Sequence, residues 1–281
     1  MNTTQPATGH DATSLLARLR RATWRQGKSL RQRWLPRSVD QHVFVAGVQR
    51  SGTNLLMDVL DRSLETRVFH ETDARAFERY VMRDPGVIQR LVEQCTAPFF
   101  VIKALCELDR INALMDTFAP AKTIWIARDW RDTVVSANKS FGGFVQQWKR
   151  LTHGDPVNWR GRGMSLETRE MLTELYHPEA SEAEGAAIMW FYRNILFFEQ
   201  RLDTDPRVHL MFYEDLVRYP LREVAKVYDF LGLQGFNQRV VGRIHARSVK
   251  RRSPPDIAPA VMSLCDELLA RFRALPPQEP A

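Results

Sequence analysis

"HVFVAGVQRSGTNLLMDVLDR", residues 42–62, decides how the rest of the chain is read. The apolar run Val43 to Ala46 reads as a buried strand. A turn holding two glycines, Gly47 and Gly52, follows it, and Leu56, Val59, Leu60 and Leu64 then recur at helical spacing. Successive backbone amides in such a turn, opening onto a helix N-terminus, bind an anion by hydrogen bonds and the helix dipole. Gly47 and Gly52 have the spacing of the two glycines in the triphosphate loop G-x-x-x-x-G-K-[ST]. Here Thr53 occupies the lysine position and Asn54 the Ser/Thr position. The lysine for terminal phosphates and the hydroxyl for magnesium are both missing, which argues against ATP hydrolysis or kinase chemistry. A positive charge is still supplied by Arg50, inside the turn.

Outward from this unit the pattern alternates. "RVF" (67–69), "PFFVIKAL" (98–105), "KTIWIAR" (122–128) and "RVHLMFYEDL" (207–216) read as strands. "ARAFERYVM" (74–82), "PGVIQRLVEQC" (85–95), "RINALMDTFA" (110–119), "DTVVSANKSF" (132–141), "AAIMWFYRNILFFEQRL" (186–202) and "PLREVAKVYDFLGL" (220–233) read as helices, the last closed by Gly232. Strands alternating with helices predict an α/β fold, a three-layer α/β/α sandwich of the P-loop type around a mostly parallel sheet. Residues 142–163 are rich in Gly, Trp and Arg with little periodicity and are expected to form a long loop, a candidate lid.

A second segment completes the phosphate argument. "IWIARDWRDTVVS" (124–136) is a strand, a loop and a helix start, with Arg128 at the strand's C-terminal end and Ser136 eight positions on. Asp129 is placed to cap that helix, with Asp132 near its first turn. Ligands of open α/β sheets bind at the carboxyl ends of the strands. Arg128 and Ser136 can therefore grip a second phosphate beside the first, and a ligand with two separated phosphate groups follows.

Composition sets the bounds. The chain has 281 residues, a formal charge of +7, 44% hydrophobic and 26% charged residues. That is an ordinary soluble composition with a basic balance that favours an anionic partner. Three scattered cysteines, Cys95, Cys106 and Cys265, form no metal-ligand spacing or disulfide framework and fit a reducing, cytoplasmic compartment. No apolar run has the length of a membrane span, and the polar N-terminus does not read as a secretory signal. Residues 1–40 read as a basic N-terminal arm and 41–281 as one domain. From Ala12 to Val39 there are eight Lys or Arg and no carboxylate, with leucines and Trp34 interspersed. Either a solvated arm or a basic amphipathic helix making peripheral contact with an anionic membrane through residues 14–37 fits this pattern.

These residues resemble the sulfotransferases that use 3′-phosphoadenosine 5′-phosphosulfate. "QRSGTNLL" looks like their 5′-phosphosulfate loop, "ARDWRDTVVS" like their 3′-phosphate motif, and "LMFYEDLVRYPLREVAKVYDFLGL" is similar to their late Tyr-Glu-Asp-Leu segment. The three fall in the family order across Val43 to Leu233. The missing triphosphate lysine is then explained, because this donor has no magnesium-held terminal phosphate.

The resemblance implies roles. Arg50, Ser51, Gly52, Thr53 and Asn54 would hold the 5′ side, with Arg50 stabilising charge on the leaving oxygen. Arg128 and Ser136 would hold the 3′-phosphate, and Tyr213 would touch the adenine. Lys250 and Arg251, with Arg252, would add to the 3′-phosphate site from the tail. Leu55 stands where many family loops have a stacking Trp, which leaves Trp130 or a later aromatic for that task. The Lys-Thr-His of many cytosolic members is Lys103-Ala104-Leu105 here, so their histidine base is absent. The tyrosylprotein branch uses a Glu after the first helix, and "VFHETDARAF" offers Glu71, then His70, at that place; Asp73 departs from that branch's Arg. Lys103 would contact the sulfonate. No metal is implied. The resemblance implies sulfonate transfer to a hydroxyl, or less often an amine, of a small-molecule, glycan, lipid or peptide acceptor, with no nucleic acid expected. A small-molecule kinase, a non-catalytic nucleotide or nucleic-acid binder and a donor-binding protein without turnover remain competing readings.

Overall fold

Val43 and Val45 point to one side of the first strand and Phe44 and Ala46 to the other, and all four are buried. A strand covered on both faces is the mark of a parallel sheet between helical layers. In this computed structural model the described residues are 23–24, 26–28, 30–32, 39–153, 159–236, 238–242, 244 and 257–276. Five strands form the sheet: β1 (Gln41–Ala46), β2 (Thr66–Phe69), β5 (Phe99–Ala104), β6 (Ala121–Ala127) and β7 (Val208–Phe212). Their order is β2-β5-β1-β6-β7 and every pairing is parallel. β3 (Phe77–Glu78) and β4 (Val81–Met82) make a separate antiparallel hairpin.

The helices are α1 (Thr53–Leu60), α2 (Pro85–Glu93), α3 (Ile111–Thr117), α4 (Trp130–Asn138), α5 (Phe144–His153), α6 (Leu166–Leu175), α7 (Glu182–Glu199), α8 (Tyr213–Arg218), α9 (Pro220–Leu231) and α10 (Pro259–Arg273). One layer packs Val43, Val45, Val101, Ile124 and Ile126 against Leu56, Leu60, Val224 and Val227 from α1 and α9. The other packs Phe44, Phe100, Ile102 and Trp125 against Trp190, Phe197 and Phe272 from α7 and α10. Each such fully buried large side chain contributes on the order of 1.5–3 kcal/mol. The expected α/β sandwich is therefore the observed one.

The chain leaves β1 toward β2 and β5 on one side, then returns to β6 and β7 on the other. The crevice between the β1 and β6 ends is thus the topological switch point, where open α/β sheets bind ligands.

Three expectations are corrected. The strand read over residues 207–216 ends at Phe212, and the chain turns into α8 from Tyr213. Residues 74–82 are not a helix. Ala76 and Phe77 are buried, but Arg79 (φ 48°) and Tyr80 (φ 70°) lie in the left-handed region and fold the segment into the β3–β4 hairpin. Residues 142–163 are not one long loop: α5 occupies 144–153 and buries Trp148 and Leu151 beneath its polar surface. The basic arm is described only in part. Lys28 and Gln32 are buried and hold the far end of α1, with Lys28 Nζ donating to Asp61 O (2.8 Å) and Gln32 Nε2 to Leu64 O (2.8 Å) and Thr66 O (2.9 Å).

Candidate active site

The loop between β1 and α1 is shaped by close approaches that only glycine permits. Gly47 has φ +146°, and a Cβ there would lie 2.6 Å from Ile126 O. Gly52 has φ +102°, and a Cβ there would lie 2.3 Å from the Tyr213 ring. Arg50 between them is also left-handed, with φ 71°. Gly52 caps α1 with no side-chain acceptor, and no acidic residue sits in the first turn. The helix-start amides are left for an outside anion. Ser51 Oγ is buried and has no hydrogen-bond partner among the described residues, a state that a bound anion relieves.

Beyond the β6 end, Arg128 is 7% exposed and tightly oriented. Its Nη1 donates to Arg50 O (2.8 Å), its guanidinium lies 4.4 Å from the Tyr213 ring centroid, and Asp132 stands 4.0 Å from Nη2. Trp190 Nε1 donates to Arg128 O (3.0 Å), which pins the main chain at that point. The Asp129 side chain caps α4 by accepting from Arg131 N, as expected, while Asp129 N donates to Glu214 Oε1 (3.0 Å). Burial pushes the Glu214 carboxyl above its ordinary range, against the pull of the Asp129 amide. Ser136 Oγ, two turns into the same helix, accepts from Arg50 Nε at 2.9 Å.

On the other side of β1 stands Lys103, 2% exposed. Its Nζ donates to Glu71 Oε1 (2.6 Å) and to Asn54 Oδ1 (2.7 Å). Burial pulls its pKa down, opposed by the Glu71 carboxylate. The β2–β5 register explains the meeting: Phe69, the last residue of β2, pairs with Ile102, so Glu71 two residues on comes beside Lys103 of β5.

Sheet order therefore lays the groups in a line: Glu71 after β2, Lys103 on β5, the glycine loop after β1, Arg128 after β6, Tyr213 after β7. They line one cavity of about 1260 Å³. Of the residues singled out from sequence, Arg50, Gly52, Thr53, Asn54, Glu71, Lys103, Arg128, Ser136 and Tyr213 all line it. Ser51 lies buried behind the loop, and His70 does not line the cavity. Trp130 is fully buried and donates its indole N–H to Asp266 (2.8 Å), so it offers no stacking face there. Lys250, Arg251 and Arg252 lie outside the described residues. Trp159 and Arg160, from the segment read as a candidate lid, also line the cavity, as do Arg79, Tyr80, Met189 and Arg193, to which no sequence expectation points. Arg193 had a signal, a lone cation inside an apolar helix; Arg79 and Tyr80 were hidden by the helical reading of their segment. Among the described residues no group of three or more His, Cys, Asp or Glu could hold a metal ion, and no helix is long and apolar enough to cross a membrane.

A family model described as a sulfotransferase domain matches residues 40–252. Solved structures similar to the chain include a sulfotransferase from Alicyclobacillus acidocaldarius (15% identity, TM-score 0.49, covering 83% of this chain and 94% of that one). Another is a sulfotransferase from Mycobacterium avium (15%, 0.46, covering 86% and 79%). A third is a mouse sulfotransferase complexed with PAP (17%, 0.45, covering 83% and 84%). No curated protein matches the chain.

Proposed function

The chain belongs to the sulfotransferase domain family, and from that premise we propose that it moves the sulfonate of 3′-phosphoadenosine 5′-phosphosulfate to an acceptor hydroxyl with the residues aligned across the sheet. The loop amides, Ser51, Thr53 and Arg50 hold the 5′-phosphosulfate; Arg128 and Ser136 hold the 3′-phosphate; Tyr213 wedges the loop and borders the adenine side. Arginine suits both phosphate positions because its planar fork matches phosphate oxygens. The Ser51 hydroxyl, buried behind the loop without a hydrogen-bond partner among the described residues, fits a bound anion.

In the reaction, the acceptor oxygen attacks sulfur in line. A new S–O bond forms, the bond from sulfur to the bridging oxygen breaks, and adenosine 3′,5′-bisphosphate leaves. The Glu71 carboxylate takes the acceptor's proton as general base. Its Oε1 is held by Lys103, which leaves Oε2 for the incoming hydroxyl. An ammonium has three donors. Two of those on Lys103 serve Glu71 and Asn54, and the third is available to a sulfonate oxygen. Arg50 neutralises charge on the leaving oxygen, an electrostatic role that grows as the bond breaks.

The single observation that carries this reading is a pair of hydrogen-bonded runs lining one cavity, Glu71–Lys103–Asn54 on one side of the loop and Arg50–Ser136 on the other. The test is titration calorimetry with adenosine 3′,5′-bisphosphate, with and without magnesium, against ATP. Tight, magnesium-independent binding that ATP does not match is expected; a preference for magnesium-ATP returns the kinase reading. Three free, buried cysteines support a cytoplasmic setting. Exposed Trp24 and Leu30 beside Arg31 support a peripheral membrane contact of the arm, checked by sedimentation with anionic vesicles.

A further inference from the structure

Asn54 joins the buried lysine of β5 to the helix that follows the glycine loop. It is the second residue of α1, exposed, and lines the cavity. Val45 pairs with Lys103 in the β1–β5 register, which sets the lysine beside the strand that feeds the loop. Lys103 Nζ donates to Asn54 Oδ1 at 2.7 Å. An ammonium has donors only, so this bond fixes the amide: its oxygen faces Lys103 and its nitrogen does not. Among the described residues the Asn54 side chain makes no second hydrogen bond. The two N–H donors of Nδ2 are therefore held at the cavity wall, beside the first amides of α1, which have no partner within the helix.

An anion suits this place. Arg50, four residues earlier in the loop, lines the same cavity. Burial lowers the Lys103 pKa, Glu71 and Cys106 oppose that, and the Arg50 charge lowers it further. Two cations within reach of each other's fields repel, and a negative group between them relieves both. In the transfer step Arg50 meets the bridging oxygen and Lys103 a non-bridging one, so the sulfur passes between them. Asn54, bonded to Lys103 and carried on the helix that the Arg50 loop opens, borders that same space. The Glu71 carboxylate is tied to Lys103 at 2.6 Å, which shields an incoming sulfonate from its charge.

We infer that Asn54 binds the sulfonate itself: Nδ2 donates to one sulfonate oxygen while Oδ1 aims Lys103 at another, and together they make the site distinguish loaded donor from spent bisphosphate. This rests on the proposed function and refines it, since the family resemblance assigns Asn54 to the 5′ side as a whole. Hydrogen bonds to an ionised acceptor are about twice as strong as neutral ones. Donors fixed in advance also cost no reorganisation as charge spreads over the sulfonate oxygens. The 5′-phosphate stays with the product, whereas the sulfonate leaves with the acceptor. Contacts made to the sulfonate therefore vanish at the moment the bisphosphate has to dissociate.

The test needs no acceptor. Calorimetry on the full chain measures the affinities of 3′-phosphoadenosine 5′-phosphosulfate and of adenosine 3′,5′-bisphosphate, which lacks the sulfonate, for wild type, N54A and N54D. Both substitutions suit the first turn of a helix, Ala by propensity and Asp by the dipole, so the fold survives them. In N54A the ratio of donor to bisphosphate affinity should fall about ten- to hundredfold, the worth of one hydrogen bond to a charged group. N54D keeps an acceptor for Lys103 but removes the N–H donors, and its ratio should fall at least as far. An N54D ratio matching wild type would mean that Asn54 only braces Lys103. Equal weakening of both ligands in N54A would place its amide on the 5′-phosphate. Either result, or an N54A ratio equal to wild type, would overturn the inference and leave the donor assignment standing. A wild-type chain that binds neither ligand would instead fail the proposed function, and this inference with it.

Discussion

Arg50 Nε donates to Ser136 Oγ at 2.9 Å, across 86 residues of sequence. The two side chains assigned to opposite phosphates of the donor are thus bonded to each other at the junction of β1 and β6. Arg128 strengthens the junction by donating to the Arg50 carbonyl at 2.8 Å. S136A removes a phosphate donor and the tether of Arg50 together, and R128A removes a buried guanidinium from the same end. A lost hydrogen bond to a charged group costs about 1.5–3 kcal/mol, or about ten- to hundredfold in affinity. Calorimetry should show weakening of that size for adenosine 3′,5′-bisphosphate in both variants, with R128A the weaker binder. Unchanged affinity in R128A would remove it from the 3′-phosphate site.

E71Q separates chemistry from binding. The glutamine amide keeps an oxygen for Lys103, so the local geometry survives while the proton acceptor is lost. Turnover should fall about 10²–10⁴-fold, the usual weight of general-base catalysis, with bisphosphate affinity near wild type. H70A should stay near wild-type turnover, because His70 does not line the cavity. The opposite result, an active E71Q and an inactive H70A, would transfer the base to the histidine.

The cysteines give a check on the packing independent of any ligand. All three are free and buried. Burial pushes the Cys106 thiol up to about 12 and raises Cys95 and Cys265 as well. Thiolate is the reactive form. Iodoacetamide near pH 8 should therefore leave the native protein almost unmodified and label three thiols after denaturation, read by mass spectrometry. Rapid native labelling of Cys106 would contradict the tight contact between its thiol and the Tyr80 carbonyl.

The elements that could be read from sequence are those whose signal is local. β1, β5 and β6 announce themselves as short apolar runs, and Gly47 and Gly52 mark a turn that no other residue fits. Arg128 and Ser136 were placed by their separation on a strand-to-helix junction. The β3–β4 hairpin is hidden in the sequence because Ala74, Phe77 and Val81 fall at helical spacing by coincidence. What makes it a hairpin is Glu107, far along the chain, holding Met82 N. α5 is obscured for a related reason. Phe144, Trp148 and Leu151 do carry a helical period, but the glycines on either side masked it. Glu71 and Lys103 were each singled out, yet their contact follows only from β2 pairing with β5, which no local pattern encodes.

G52A tests the closeness of the loop to Tyr213. Its Cβ would meet the ring at 2.3 Å, and its φ of +102° disfavours any L side chain. Strain of this type costs about 1–3 kcal/mol, or about 2–4 °C in Tm per kcal/mol for a chain approaching this size. G52A should melt several degrees lower and lose bisphosphate binding, since the loop cannot shift without moving its amides. G52A/Y213A relieves the contact but not the backbone strain, so it should recover part of the Tm and little of the binding. A G52A protein with wild-type Tm and affinity would mean the loop tolerates displacement.

Lys103 should shape the alkaline limb of the pH profile. Burial holds its pKa below the ordinary lysine range, with the Glu71 carboxylate resisting. As pH rises through that lowered value, Lys103 loses its charge, its pairing with Glu71 and its hold on the sulfonate, so kcat should fall earlier than for an exposed lysine. The stability effect has the opposite sign. Between the lowered folded value and the ordinary unfolded one, the unfolded chain binds more protons at this site, so this group's contribution to stability rises with pH. Turnover and Tm should thus diverge across the same window, unlike the joint loss that general alkaline unfolding produces. K103R supplies the control, because a guanidinium stays charged throughout. Whatever activity K103R retains should lack that limb, and a limb that persists in it would assign the titration to a group other than Lys103.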